Sequence, residues 1–125
     1  MTIQTAIDLV DSLKPNMFTN QQKVAWLSDL DGMVWREVIK THEGPHAGID
    51  FVGYDQDTEM DTVLLAPDPY SDLYKHWLAS RMDIANRDNN EYTKDMVLFN
   101  NMWQTLCDYW NRTYMPLSPV RQLKL

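Results

Sequence analysis

Residues 68–116 decide the fold, and they read DPYSDLYKHWLASRMDIANRDNNEYTKDMVLFNNMWQTLCDYWNRTYMP. The first part spaces its apolar residues along a broad helical face: Tyr70, Leu73, Tyr74, Trp77, Leu78, Met82 and Ala85. The second part advances by steps of 4, 3, 4, 3 and 4 residues: Tyr92, Met96, Phe99, Trp103, Leu106 and Trp110. That alternation is typical of helices that pack nearly side by side. Because only the polar break 87–90 separates the two patterns, they predict an antiparallel hairpin of helices 3 and 4.

Capping and breaking residues predict where these helices begin and end. Asp68 followed by Pro69 combines a favoured N-cap residue with the residue favoured at the first helical position, so helix 3 is expected to begin there. Pro116 ends helix 4, because proline cannot continue a helix interior. We therefore expect a single helical domain over residues 1–116 and an extended C-terminal tail over residues 117–125.

Two shorter patterns predict helices nearer the N-terminus. The first, ended by Pro15, has its apolar residues at near-helical spacing: Ile3, Ile7, Val10 and Leu13. Thr19 and Gln22 have the spacing of a capping box, and the apolar stripe after them extends helix 2 to about Lys40. Gly32 inside that helix favours a bend or close packing. The fold class is therefore mainly α, with about four helices.

The net charge of −7 argues against a general nucleic-acid binder, which carries a basic stripe. The acidic excess is local, because the stretch from Thr41 to Tyr74 contains no Lys or Arg and eight acidic residues: Glu43, Asp50, Asp55, Asp57, Glu59, Asp61, Asp68 and Asp72. Charge runs are usually solvated loops. The alternative is a surface that repels phosphate or meets a basic partner.

Within this acidic segment the helical period is lost, and residues 49–54 and 62–65 suit β-strands. They predict a β-hairpin excursion at about 47–66, between helices 2 and 3. A lone two-stranded hairpin is marginal in water, so it has to lean on the helices or on another chain.

We find no glycine-rich phosphate loop, nucleophile elbow or paired-histidine zinc helix in the sequence. His42 and His46 with nearby carboxylates suggest a metal site only weakly, because 44–45 is Gly-Pro and breaks a helix there. The alternating carboxylates of residues 55–59 fail as a calcium loop, since Met60 stands where glycine is required. We therefore expect neither catalysis nor a metal or other cofactor.

Cys107, the single cysteine, follows a core position of helix 4 and is expected to be buried and inert. The chain has no apolar run of membrane-spanning length, and its first residues lack the layout of a signal peptide. These features favour a protein that stays in a reducing cytoplasm where it is made.

Three motifs occur between Thr62 and Pro116: LLAPDPY at 64–70, Asp-Leu-Tyr at 72–74 and YWNRTYMP at 109–116. With them this stretch of 55 residues resembles small head-tail connector (adaptor) proteins of tailed phages and prophages of Gram-positive bacteria. The resemblance implies a virion protein that assembles as a ring at the neck and binds the portal protein and tail-side connector proteins. It also implies that DNA passes through without specific binding, that no membrane is involved, and that assembly takes place in the host cytoplasm.

The expected partner-binding residues are the carboxylates Asp55, Asp57, Glu59 and Asp61, together with Arg121 and Lys124 in the tail. The two tail cations are expected to reach the acidic segment of a neighbouring subunit, with an effect on assembly and on its salt dependence. A second hypothesis is a small acidic regulatory or inhibitory protein-binding module. A metal-dependent hydrolase using His42 and His46 is the least favoured.

Overall fold

A computed structural model of the chain describes residues 1–44, 48 and 50–117. Its helices are α1 (Ile3–Leu13), α2 (Asn20–Val34), α3 (Asp72–Ala85) and α4 (Asn89–Thr113), and a π-helical turn, Trp35–Ile39, follows α2 directly. The predicted mainly α fold with four helices is confirmed.

Helices α1 and α2 begin at side-chain caps. The Thr2 hydroxyl accepts a hydrogen bond from the Thr5 N–H at 3.1 Å. At α2 the capping box is complete, because Gln22 N–H donates to Thr19 Oγ1 at 3.1 Å and Thr19 N–H donates to Gln22 Oε1 at 2.9 Å. The start of helix 2 predicted from the sequence is confirmed, and the π-helical turn carries the helix on to its predicted end.

Helix α3 begins at Asp72, four residues after the predicted cap at Asp68, so that start was wrong. The reason is a turn over residues 67–70, closed by a 2.9 Å hydrogen bond from Tyr70 N–H to the Pro67 carbonyl. The Asp68 carboxylate accepts a hydrogen bond from the Ser71 hydroxyl instead of capping the helix at its own position.

Helices α3 and α4 form the predicted antiparallel hairpin. The ring centroids of Tyr70 and Tyr109 lie 4.8 Å apart at one end, and those of Trp77 and Phe99 lie 5.2 Å apart further along. Residue numbers thus rise along one helix as they fall along the other. Arg87 in the connecting turn has φ +58°, a left-handed conformation that reverses the chain in few residues.

The core lies around α3, which contacts each of the other three helices. Each helix contributes fully or nearly fully buried side chains, among them Ile3, Ile7, Val10, Leu27, Leu30, Val34, Leu73, Tyr74, Leu78, Met82, Phe99, Leu106 and Trp110. Leu13, the last residue of the predicted apolar stripe of α1, is 62% exposed.

The predicted β-hairpin between α2 and α3 is not confirmed. The backbone of residues 60–64 pairs with the N-terminus, where Ile3 N–H donates to Thr62 O at 3.0 Å and Leu64 N–H donates to Met1 O at 2.9 Å. These backbone groups are therefore not free to form a ladder with residues 50–54. Of the remaining excursion, residues 45–47 and 49 lie outside the described residues.

The segment that follows α4 pairs in the same way with the segment after α2. Glu43 N–H donates to Met115 O, and Leu117 N–H donates to Thr41 O, both at 2.8 Å. Leu117, the first residue of the predicted tail, is thereby held against the domain. Arg121 and Lys124 lie outside the described residues.

Candidate functional site

All eight carboxylates of the acidic segment are exposed: Glu43, Asp50, Asp55, Asp57, Glu59, Asp61, Asp68 and Asp72. None of them forms an ion pair within the described part of the chain. The four expected partner-binding carboxylates fall together in residues 55–61, hereafter the acidic turn. The structure thus brings these four together on one exposed stretch.

The acidic turn is organised by its own hydrogen bonds. The Asp55 carboxylate accepts from the Asp57 N–H at 2.8 Å, and the Thr58 hydroxyl accepts from the Asp55 N–H, also at 2.8 Å. A second turn follows, in which Thr62 N–H donates to Glu59 O at 3.0 Å. Such local bonds are what Asp and Thr typically supply in turns. The carboxylates are therefore presented in a preformed arrangement.

The segment that leads into the acidic turn runs along α2. Tyr54 N–H donates to the Ser28 hydroxyl at 2.9 Å. Residues 54–57 face the N-terminal half of the helix at Gln21, Val24 and Ala25. The acidic turn therefore lies near the N-terminal end of α2.

A buried carboxylate anchors both ends of this excursion. Asp31 on α2 is 0% exposed and accepts hydrogen bonds from the Tyr54 and Tyr74 hydroxyls, both at 2.5 Å. It also accepts from the Leu65 N–H at 3.1 Å. Distances of about 2.5 to 2.7 Å are those of hydroxyls donating to an ionised carboxylate. Asp31 thus binds the residue before the acidic turn, a residue after it, and α3.

Burial governs the acid–base properties of this network. Burial raises the pKa of Asp31. The hydrogen bonds from Tyr54, Tyr74 and the Leu65 N–H oppose this shift without cancelling it. Burial first and the Asp31 charge second raise the pKa values of both tyrosines, so their protons stay in place at neutral pH. The network therefore stabilises the fold, and both tyrosine hydroxyls keep their protons.

The sequence analysis did not identify Asp31, although one signal was present. Asp31 lies four residues after Leu27 and three before Val34. This spacing places it on the buried face of α2. An acidic residue at such a position needs buried hydrogen-bond partners. Those partners come from residues 54, 65 and 74, which no spacing rule connects to it.

A second polar cluster joins α1 to the α3–α4 hairpin. Lys14 forms an ion pair with Asp83, which is buried, and another with Asp95 at 3.2 Å. Burial, followed by the hydrogen bond with Asp95, raises the pKa of Asp83 to about 6, although Lys14 opposes the shift. Lys23 of α2, also buried, pairs with Asp11 of α1 at 2.7 Å.

His42 has both ring nitrogens at hydrogen-bond distance from protein oxygens. Nδ1 lies 2.7 Å from Val38 O, and Nε2 lies 2.6 Å from the Asn111 side-chain oxygen. This buried ring joins the end of the π-helical turn to the end of α4. His46 lies outside the described residues, and within them no group of three or more His, Cys, Asp or Glu side chains is placed to hold a metal ion.

Cys107, expected to be buried, is half-buried. Burial, with Asp108 and Glu37 nearby, raises the pKa of its thiol. A raised pKa keeps the thiol protonated and weakly nucleophilic at neutral pH.

No family model matches this chain, and no curated protein or solved structure is significantly similar to it. None of the helices in the described ranges combines the length and the apolar character that crossing a membrane requires.

Several apolar side chains remain at the surface of the described part of the chain, and the most exposed are Met17, Val52 and Val63, at 98%, 94% and 67%. A contiguous patch of such side chains marks a protein contact, whereas single exposed apolar side chains are common on protein surfaces.

Proposed function

We propose that the protein is a non-enzymatic virion structural protein, a head-tail connector that assembles as a ring at the neck below the portal. The observation that carries the proposal is the acidic turn: exposed, preformed carboxylates on a segment whose base is bound to the core through Asp31. An exposed cluster of charges on an ordered turn is suited to contacts with other protein chains. The resemblance of residues 62–116 to head-tail connectors supplies the kind of assembly.

Electrostatics supports a position beside passing DNA. The exposed carboxylates of residues 41–74 repel phosphate over about 10 Å at moderate salt. A lumen that carries such groups lets DNA move through without binding it. The proposed partners at the two ends of the ring are the portal protein and a tail-side connector protein.

Three strongly exposed apolar residues lie in different segments of the chain. Val63 lies in the extended segment whose backbone pairs with the N-terminus, Val52 lies before the acidic turn, and Met17 lies between α1 and α2. A subunit inside a ring meets different neighbours through different faces. We expect contacts within the ring to cover some of these exposed apolar side chains.

Co-expression with a phage portal protein tests the proposal. We expect the two to co-purify as a particle whose mass corresponds to several copies of this chain. Asp55→Asn/Asp57→Asn/Glu59→Gln/Asp61→Asn is expected to weaken that assembly, and Arg112→Gln, which removes an exposed charge on α4, serves as the control. Failure to bind any portal protein at low and at moderate salt overturns the proposal.

The acidic turn also supports a second candidate function, a small regulatory or inhibitory module that docks on a basic protein. Its carboxylates stand at every second residue from Asp55 to Asp61, with no cation among them. The same fourfold neutral variant separates the two functions. Loss of binding to a basic target with particle assembly intact favours the module, and loss of assembly favours the connector.

A further inference from the structure

A groove of about 560 Å³ opens between α2, α3 and residues 51–53, and two arginines line it. Arg36 comes from the π-helical turn after α2, and Arg81 comes from α3. Trp77, Phe51 and Met33 supply apolar surface around them. We call this the arginine groove. Trp, Phe, Met and Arg are the residue types enriched where proteins bind one another.

Both guanidinium groups are held in place by their surroundings. Arg81 lies over the Trp77 ring, 4.0 Å from its centroid, and 6.0 Å from the centroid of the Tyr92 ring. Arg36 folds back over Gly32, because a Cβ atom at that glycine would lie 3.2 Å from Arg36 Nη1. Cations fixed by stacking and close packing lose little freedom when an anion binds.

Neither arginine has a carboxylate partner within residues 1–44, 48 and 50–117. Within the described residues, the hydrogen bonds of Arg81 are a 3.3 Å contact to the Ser80 hydroxyl and a 3.8 Å contact to the Met96 sulfur. Lysines elsewhere do form ion pairs: Lys14, Lys23 and Lys94. Asp29 also lines the groove, so two arginines and one carboxylate leave it one net positive charge. In a chain of net charge −7, the groove is therefore a local site of positive charge.

We propose that the arginine groove receives the acidic turn of a second copy of this chain. The proposal rests on the ring assembly proposed above and names one of its contacts. Charge complementarity favours this occupant, because the acidic turn carries four exposed carboxylates and is itself without an ion pair. A carboxylate from the neighbour lies between Arg36 and Arg81, and apolar atoms of the turn cover Phe51 and Trp77.

The positions of the two surfaces favour a head-to-tail contact. The first residues of the acidic turn face α2 at positions 21–25, whereas the groove is lined by α2 and its π-helical extension at 28–36. At 1.5 Å per residue the two lie on the order of 15 Å apart along the helix axis. Contacts between two different surfaces of identical subunits build a ring or a filament, as a connector requires.

Charge reversal on each surface tests the contact. Arg36→Glu reverses the groove, and Asp57→Lys/Glu59→Lys/Asp61→Lys changes the charge of the acidic turn from −4 to +2 while keeping Asp55, whose carboxylate orders the turn. Each variant alone is expected to bind itself about tenfold or more weakly than the wild type does, by sedimentation velocity at low salt. An equimolar mixture is expected to associate again, because the lysine turn fits the glutamate groove and the native turn fits the native groove. Arg112→Glu is the control, with association unchanged.

Three results overturn the proposal. The first is a wild-type chain that stays monomeric at low salt and at its highest soluble concentration. The second is association that Arg36→Glu leaves unchanged, and the third is a mixture that does not recover. Portal binding is measured separately: a monomeric chain captured by the portal rejects the groove contact and keeps the connector function. Association that depends on the groove, without any portal binding, supports the groove contact and rejects the connector function.

Discussion

The Tyr74 hydroxyl on α3 donates a 2.5 Å hydrogen bond to the Asp31 carboxylate on α2, across 43 positions of sequence. The same hydroxyl accepts a 2.7 Å hydrogen bond from the Ala66 N–H. One tyrosine therefore joins two helices and the segment that returns from the acidic turn. The exposed surface proposed for assembly depends on this buried contact.

Asp31→Ala tests how much the network stabilises the fold. The substitution leaves two tyrosine hydroxyls and the Leu65 N–H without an acceptor in the core. At about 1 to 3 kcal/mol for each unsatisfied group, we expect the free energy of unfolding to fall by about 3 kcal/mol or more. Urea denaturation measures it. Asp29→Ala, an exposed change on the same helix, should cost no more than about 0.5 kcal/mol. Equal effects of the two substitutions would contradict the anchoring role.

Tyr74→Phe is expected to destabilise more than Tyr54→Phe. Both changes remove a hydroxyl that donates to Asp31, each worth about 1.5 to 3 kcal/mol because the acceptor is charged. Tyr74→Phe also leaves the Ala66 N–H unpaired in the core. Hydrogen exchange of the Leu65 and Ala66 amides should therefore accelerate more in Tyr74→Phe. The reverse order would show that Tyr54 is the main anchor.

Asp83 makes stability depend on pH. Its pKa is raised from 3.8 to about 6 in the folded state, so the folded chain holds this proton more tightly than the unfolded chain. The resulting stability is fully present below about pH 4 and is lost as pH rises through 6. Burial raises the pKa of Asp31 as well, which acts in the same direction. We expect urea midpoints of Asp83→Asn to fall less between pH 4 and 7 than those of the wild type. An equal fall of the urea midpoint in both proteins would show that Asp83 is not the source of the pH dependence.

Neutralising the acidic turn should leave the fold intact. Asp55→Asn/Asp57→Asn/Glu59→Gln/Asp61→Asn changes only exposed side chains and shifts the net charge from −7 to −3, since four negative charges are removed. We expect a stability change within about 0.5 kcal/mol and a weaker salt dependence of assembly. Thermal unfolding and light scattering across a salt series measure the two effects. A large loss of stability would show that the carboxylates serve the fold itself.

The tail prediction competes with the groove prediction for the same carboxylates. If Arg121 and Lys124 pair with a neighbour's acidic turn, Arg121→Gln/Lys124→Gln will weaken assembly and flatten its salt dependence. Truncation after Leu117 keeps the hydrogen bond from Leu117 to Thr41 and removes both cations. Assembly that survives this truncation unchanged rules out the tail contact.

Much of the fold follows from local pattern. The apolar spacing of Phe99, Leu106 and Trp110 placed them on the buried face of α4, where the structure has them. The capping box at Thr19 and Gln22 formed as its spacing predicted. Helical periodicity and caps act over three or four residues, so a sequence read in short windows contains them. The start of α3 was misplaced because a turn that also favours proline precedes the helix.

The amino-acid sequence by itself determined the four helices, the α3–α4 hairpin and the acidic character of residues 41–74, because periodicity and charge are properties of neighbouring residues. Only the tertiary structure decided that Asp31 meets Tyr54, Tyr74 and Leu65. It also decided that residues 60–64 pair with the N-terminus, and that Arg36 and Arg81 share one groove. These contacts join residues far apart in the chain, and their partners are selected by how the helices pack.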